Sequence, residues 1–171
     1  MIIIIAGKSC VGKSSLSRLF TTKNNFNHIE MSDIMREIRY EEKLEHLSLR
    51  NFVTKMHMKY SKDFAIQFLI DNNHIEKTKV VISGIRNPYE IRLLQQTNKQ
   101  IITFYINAKL HVRLLRLYNR EKKLDLSAFW KEERSVKKWG DKQVRDLSII
   151  INNNRTLEEA YKNIIDYIDK N

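Results

Sequence analysis

The sequence predicts an α/β layered fold with a mostly parallel sheet, and three observations carry that reading. Ile2 to Ala6 is a continuous, largely β-branched run without alternation, the pattern of a strand buried on both faces. Later short apolar runs alternate with segments whose apolar residues recur at helical spacing. The chain has 171 residues, 42% of them apolar, enough for one sizeable core at roughly 150 residues per domain.

The elements follow in order. After the first strand, Leu16, Leu19 and Phe20 share a helical face, so a strand, a loop and a helix open the fold. His28 to Met31 reads as a short second strand, and Ser32 can cap a helix that buries Ile34, Met35 and Ile38. Leu47 to Met58 and Asp63 to Ile70 read as two further helices. Val80 to Ser83 is a buried strand, and Gly84 to Pro88 a turn, because proline disfavours helix at the residue before it. A helix over 89–96 follows, then a strand over 101–106 and a helix carrying Arg113, Arg116 and Arg120. A less regular basic stretch runs from Glu121 to Arg145. Leu147 to Ile151 supplies the last strand and 156–168 the last helix. No linker, repeat or low-complexity segment interrupts this alternation.

Composition narrows the chemistry. One Cys, four Gly and one Pro exclude a disulfide scaffold and a collagen-like chain. His28, His46, His57, His74 and His111 lack metal-ligand spacing. No run approaches the ~18 apolar residues of a membrane span, and the apolar start is too short and lacks the basic flank of a secretory signal. A soluble protein in the reducing cytoplasm is the expectation. The net charge of +11 points to a polyanionic partner, and it is local: from Lys109 to Arg145 there are twelve Lys and Arg against five Asp and Glu.

The strongest signal is Gly7-Lys8-Ser9-Cys10-Val11-Gly12-Lys13-Ser14, a full G-x-x-x-x-G-K-[ST] phosphate loop between a strand and a helix. Glycines let backbone N–H groups turn inward around phosphate oxygens, and the helix N-terminus adds partial positive charge. Lys13 is expected to reach the β- and γ-phosphates of a nucleoside triphosphate, and the Ser14 hydroxyl to bind Mg²⁺. Gly7, Cys10, Val11, Gly12 and Ser15 complete the expected ATP-binding set. The motif says that a triphosphate binds; the rest of the chain must say where its γ-phosphate goes.

Beyond the loop, the sequence resembles the adenylate-kinase-like nucleotide kinases, and looks most like small archaeal proteins described as predicted nucleotide kinases. Met31-Ser32-Asp33-Ile34-Met35-Arg36-Glu37 is similar to their strand-to-helix segment, with Ser32 where they have Gly. The resemblance implies that Arg36 holds the acceptor's monophosphate and that Asp33 orients Mg²⁺-bound water; a plain helix start with acidic first-turn residues is the alternative. Val81-Ile82-Ser83-Gly84-Ile85-Arg86 resembles the end of their third strand, making Arg86 a second clamp on the acceptor phosphate, with Ser83 in place of their Asp. Two guanidinium groups can each grip two phosphate oxygens. The alternative for Arg86 is a turn residue paired with Glu90.

In these kinases the helix after the fourth strand enters a mobile lid. Arg116 resembles the residue that packs on the donor base, Arg120 one that meets the transferred phosphoryl group, and Arg134 the arginine on the lid's return side. Trp130 and Trp139 lie within this region, and Gly140 is a candidate hinge. A solvated basic helix face is the alternative.

The resemblance implies a P-loop kinase fold with five parallel strands in the order 2-3-1-4-5, in a single domain over 1–171. It has an acceptor-binding helical region at about 31–73 and an arginine-rich lid at about 118–141. The expected activity is Mg²⁺-dependent transfer of the γ-phosphoryl group of ATP to a nucleoside or deoxynucleoside monophosphate, by a monomer or homodimer. A dephospho-coenzyme A kinase-like enzyme and a nucleic-acid-associated ATPase using the basic lid are the alternatives.

Overall fold

The computed structural model describes residues 1–76, 78–97 and 99–171. Five strands form one sheet: β1 (Ile2–Ala6), β2 (Asn27–Glu30), β3 (Val80–Ser83), β4 (Ile101–Asn107) and β5 (Ile149–Asn152). Every pairing is parallel, and the order is β2-β3-β1-β4-β5, as the resemblance implied.

The opening run of isoleucines is explained by its place in the middle of this sheet. Ile2, Ile4 and Ala6 enter an apolar cluster on one face, and Ile3 and Ile5 enter the cluster on the other; none of the five has any exposed surface. Only a strand covered on both sides tolerates such a sequence without an exposed apolar stripe. The first face is covered by α2 (Met31–Glu41), α3 (Leu49–Lys59), α4 (Phe64–Asp71) and α5 (Pro88–Gln95). The second is covered by α1 (Lys13–Asn24) and α9 (Leu157–Ile168), through Leu16, Phe20, Ala160 and Ile164.

Helices α6 (Leu110–Glu121), α7 (Leu126–Trp139) and α8 (Asp141–Asp146) occupy the basic region. The stretch expected to be irregular is therefore mostly helical. Asp125 caps α7 by accepting from the Ala128 N–H at 2.9 Å, and Phe129 and Val136 bury one side of it, a pattern too sparse among lysines to stand out in sequence. Two strand boundaries also shift. Glu30, not Ser32, is the N-cap of α2, which begins at Met31, and β5 begins at Ile149 because α8 runs to Asp146.

Because all five strands are parallel, their C-terminal ends share one edge of the sheet, where ligands of such folds bind. Gly7, Met31, Gly84 and Asn153 each lie just beyond a strand end there. No helix among the described residues is long and apolar enough to cross a membrane.

Candidate functional site

The loop from Gly7 to Ser14 wraps the end of β1 in a conformation that its glycines permit. Gly7 has φ +133°, and a Cβ there would lie 2.5 Å from the Ile106 carbonyl oxygen; at Gly12, with φ +99°, a Cβ would lie 2.6 Å from Asn153 Nδ2. Any side chain at either position would force β4 or the β5 end away from the loop. The Lys13 ammonium donates to the Lys8 carbonyl at 2.8 Å, folding back across the loop it anchors. Burial, with the nearby charge of Arg86, pulls its pKa down to about 8. A lysine so desolvated gains strongly from an incoming anion.

Beside it lies a carboxylate that the sequence did not single out. Glu30, at the end of β2, accepts from the Ser14 hydroxyl and from the Ser83 hydroxyl through the same Oε2, each at 2.7 Å. His28 Nε2 is 2.7 Å from Ser83 Oγ. Since the single Ser83 proton goes to Glu30, the histidine must donate through Nε2. Burial lowers the His28 pKa, opposed by the charge of Glu30, so the ring is the neutral Nε2–H tautomer at neutral pH. Ser83 thus supports a carboxylate from the neighbouring strand, β2. The hydroxyl and carboxylate oxygens of Ser14 and Glu30 are the hard donors that Mg²⁺ takes, in contact with the phosphate loop, so the residues present fit the ion.

Asp33, expected to serve the metal, is placed elsewhere. Its side chain is 70% exposed and pairs with Arg36 one turn along α2, and Arg36 also donates to Ser32 Oγ. Neither Asp33 nor Arg36 lines the cleft. Ile34, Met35 and Ile38 take the buried face of α2, so the helical period turns positions 33 and 36 outward.

The cleft itself, about 970 Å³, runs from the phosphate loop to the N-termini of α3 and α5. Arg86 projects into it from the turn after β3. The Arg86 backbone N–H and that of Asn87 are held by the Glu90 carboxylate at 3.3 and 3.4 Å, and Asn87 caps α5 by accepting from the Tyr89 and Glu90 N–H groups. Burial raises the Glu90 pKa to about 7, against those two backbone bonds. The alternative pairing of Arg86 with Glu90 is therefore made by the main chain alone. The Arg86 guanidinium donates to Glu132 of α7 and lies 5.7 Å from the centre of the Trp139 ring. Arg50, at the start of α3 and not anticipated from sequence, donates to the same carboxylate at 3.1 Å. Burial pushes the Glu132 carboxyl up, and the charges and hydrogen bonds of Arg86 and Arg50 overcome it, holding it below its ordinary value.

The arginine series on α6 divides by depth. Arg113 is buried: its Nε donates to the Ser9 carbonyl at 2.8 Å, and both terminal nitrogens donate to Glu133. Lys8 shares Glu133 at 3.0 Å. Arg116 donates to the Val11 carbonyl at 3.3 Å and to the Asn153 carbonyl at 2.9 Å, tying α6 and the β5 end to the loop. Arg120 lines the cleft and pairs with Glu121, whereas Arg134 is exposed and outside it. Cys10, Gly12, Lys13, Ser14 and Ser15 line the cleft; Gly7 and Val11 do not, Val11 being buried beneath the loop.

Comparison with known proteins places this geometry in a family. Residues 3–140 match the AAA domain family, and the chain belongs to it. A UPF0200 protein of Sulfurisphaera tokodaii is 30% identical over 162 residues, 92% of this chain and 90% of that protein. Among solved structures, TT1252 from Thermus thermophilus has a TM-score of 0.72 at 16% identity, covering 99% of this chain and 97% of its own. Shikimate kinase from Aquifex aeolicus has a TM-score of 0.60 at 19% identity, covering 99% and 96%. A gluconokinase from Sinorhizobium meliloti has a TM-score of 0.62 at 14% identity, covering 94% and 86%. The architecture is the P-loop kinase fold, and the resemblance to small P-loop kinases drawn from sequence holds.

Proposed function

We propose that this member of the AAA domain family is a phosphotransferase that moves the γ-phosphoryl group of ATP to a nucleoside or deoxynucleoside monophosphate. The observation that carries the reading is the opposition, in one cleft, of a complete phosphate loop and the guanidinium of Arg86. A cationic group beyond the phosphate loop in the same cleft suits an anionic acceptor. Met35, Leu49 and Val53 line the acceptor side, beside His57, whose buried Nε2 has no hydrogen-bond partner among the described residues. Such a wall suits an organic ring bearing a polar edge.

In this reading Gly7, Cys10, Val11, Gly12 and Ser15 present or shape the loop's N–H groups around the triphosphate. Lys13 leaves the Lys8 carbonyl for the β- and γ-oxygens, and Arg116 and Arg120 flank the donor from α6. Ser14 and Glu30 would hold Mg²⁺, which would supply positive charge to the triphosphate. An oxygen of the acceptor phosphate attacks the γ-phosphorus in line; the new O–P bond forms as the bond to the β-phosphate oxygen breaks, and ADP leaves. That nucleophile is already ionised, so no protein base is required. Lys13 and the arginines neutralise the charge that spreads over the equatorial oxygens. Arg134, exposed on α7, would join them only as the segment over 118–141 closes as a lid. The helices over 31–73 supply the acceptor wall, all within one domain.

A second reading, a nucleic-acid-stimulated ATPase, draws on the exposure of Lys122, Lys123, Lys131, Lys137 and Lys138. One assay separates the two: ADP formation from Mg-ATP against ribo- and deoxyribonucleoside monophosphates, dephospho-coenzyme A, shikimate, gluconate, RNA and DNA. A strong response to one monophosphate is expected, absent from Lys13→Ala. Turnover raised only by polynucleotide would establish the second reading instead.

A further inference from the structure

The cleft holds a feature that the phosphate loop does not account for. Glu132 and Glu133 are consecutive on α7, yet they serve opposite walls. Glu133 is bound by Arg113 and Lys8 on the phosphate-loop side, and Glu132 by Arg86 and Arg50 on the acceptor side. Arg50 and Arg86 come from α3 and from the turn after β3, and they converge on a single carboxylate inside the cleft. Their side chains are 27% and 32% exposed, and that of Glu132 27%, so the cluster is within reach of a ligand and partly desolvated.

Resting on the phosphotransferase reading, we propose that Arg50 completes the acceptor-phosphate grip with Arg86, and that Glu132 is a built-in competitor for it. Two guanidinium groups against one carboxylate leave an excess positive charge. A phosphate monoester dianion can satisfy both arginines through several oxygens and release Glu132, whereas a monocarboxylate offers no more charge than Glu132 already supplies. The competitor therefore favours phosphorylated acceptors over carboxylates.

The reporter for a test is built in. Trp139 lies in the cleft beside Arg86, and Trp130→Phe leaves it the only tryptophan. With Lys13→Ala also present to weaken phosphate binding at the loop, Trp139 fluorescence is titrated with inorganic phosphate and, separately, with acetate at matched ionic strength. Adding Glu132→Gln is expected to lower the apparent phosphate Kd about tenfold, because the competitor is removed, and to change the acetate response less. Adding Arg50→Ala to the Lys13→Ala, Trp130→Phe protein is expected to raise the phosphate Kd about tenfold. Glu132→Asp, which keeps the charge but shortens its reach, is expected to shift the Kd in the same direction as Gln, and a thermal melt of each variant identifies any that fails to fold. Unchanged or weaker phosphate binding in folded Glu132→Gln or Glu132→Asp, or no effect of Arg50→Ala, overturns the proposal. Turnover with a monophosphate alongside unchanged phosphate binding would defeat this inference alone; tightened binding without turnover on any acceptor would defeat the phosphotransferase reading alone.

Discussion

The two walls of the cleft are built in different ways. The phosphate-loop wall is contiguous: the eight residues from Gly7 to Ser14, running from the end of β1 into the first turn of α1, set its backbone, and neighbours from β4, α6 and the β5 end press on it through Ile106, Arg116 and Asn153. The acceptor wall is assembled from α3, the turn after β3 and α7, and it is joined by side-chain ion pairs through Glu132. A surface held by main-chain geometry is preorganised, whereas one held by partly exposed ion pairs can exchange partners at small free-energy cost. The first suits the cosubstrate common to every turnover, and the second a site that must recognise its acceptor and let the product go.

Substitutions on the two walls should therefore fail differently. Lys13→Ala removes the cation at the transferring phosphoryl group, and kcat for ADP formation should fall by about 10³-fold or more. A fall of less than tenfold would deny Lys13 that role. Arg86→Ala should instead raise the acceptor KM by about 10- to 100-fold, the range of a lost charge-assisted hydrogen bond, while the KM for ATP stays within about threefold; equal rises in both would erase the distinction between the walls.

Glu30→Gln and Asp33→Asn sharpen it further. With the carboxylate beside Ser14 neutralised, the Mg²⁺ concentration for half-maximal rate should rise about tenfold, and the Asp33 change should leave it untouched. The reverse order would return the metal to Asp33.

The smallest effect is in pH. The Lys13 pKa in the folded protein, about 8 against an ordinary 10.5, means that its charge opposes folding at neutral pH. This penalty is fully present below 8 and is relieved as pH rises from there towards the unfolded value. Nucleotide affinity should run the other way, falling as pH rises above 8 because binding must then return a proton to Lys13. Calorimetry at pH 9 should find proton uptake on binding ADP, reduced in Lys13→Ala; uptake unchanged by that substitution would remove Lys13 from the binding step.

Legibility in the sequence follows the same division. The five strands, the chain order of the main helices and the phosphate loop rest on local periodicity and on a contiguous motif, and they lie within a few residues of their expected places. Glu30 could have been found by asking which carboxylate ends the strand beside β3, since Ser83 signalled that the usual one was missing. Arg50 had no such signal. It is the one arginine of α3, with no motif around it, and it meets Glu132 only because the fold brings α3 opposite α7. Asp33 and Arg36 enter the expected site by resemblance alone, whereas the burial of Ile34, Met35 and Ile38, itself legible in the sequence, turns both outward on α2.

The central claim is transfer rather than hydrolysis, and phosphorus NMR of the reaction tests it most directly. With Mg-ATP and the best acceptor of the panel, the account predicts that the γ-phosphate signal is replaced by a new phosphoanhydride on the acceptor, in step with ADP. Inorganic phosphate accumulating in step with ADP, with the acceptor unchanged, would contradict it.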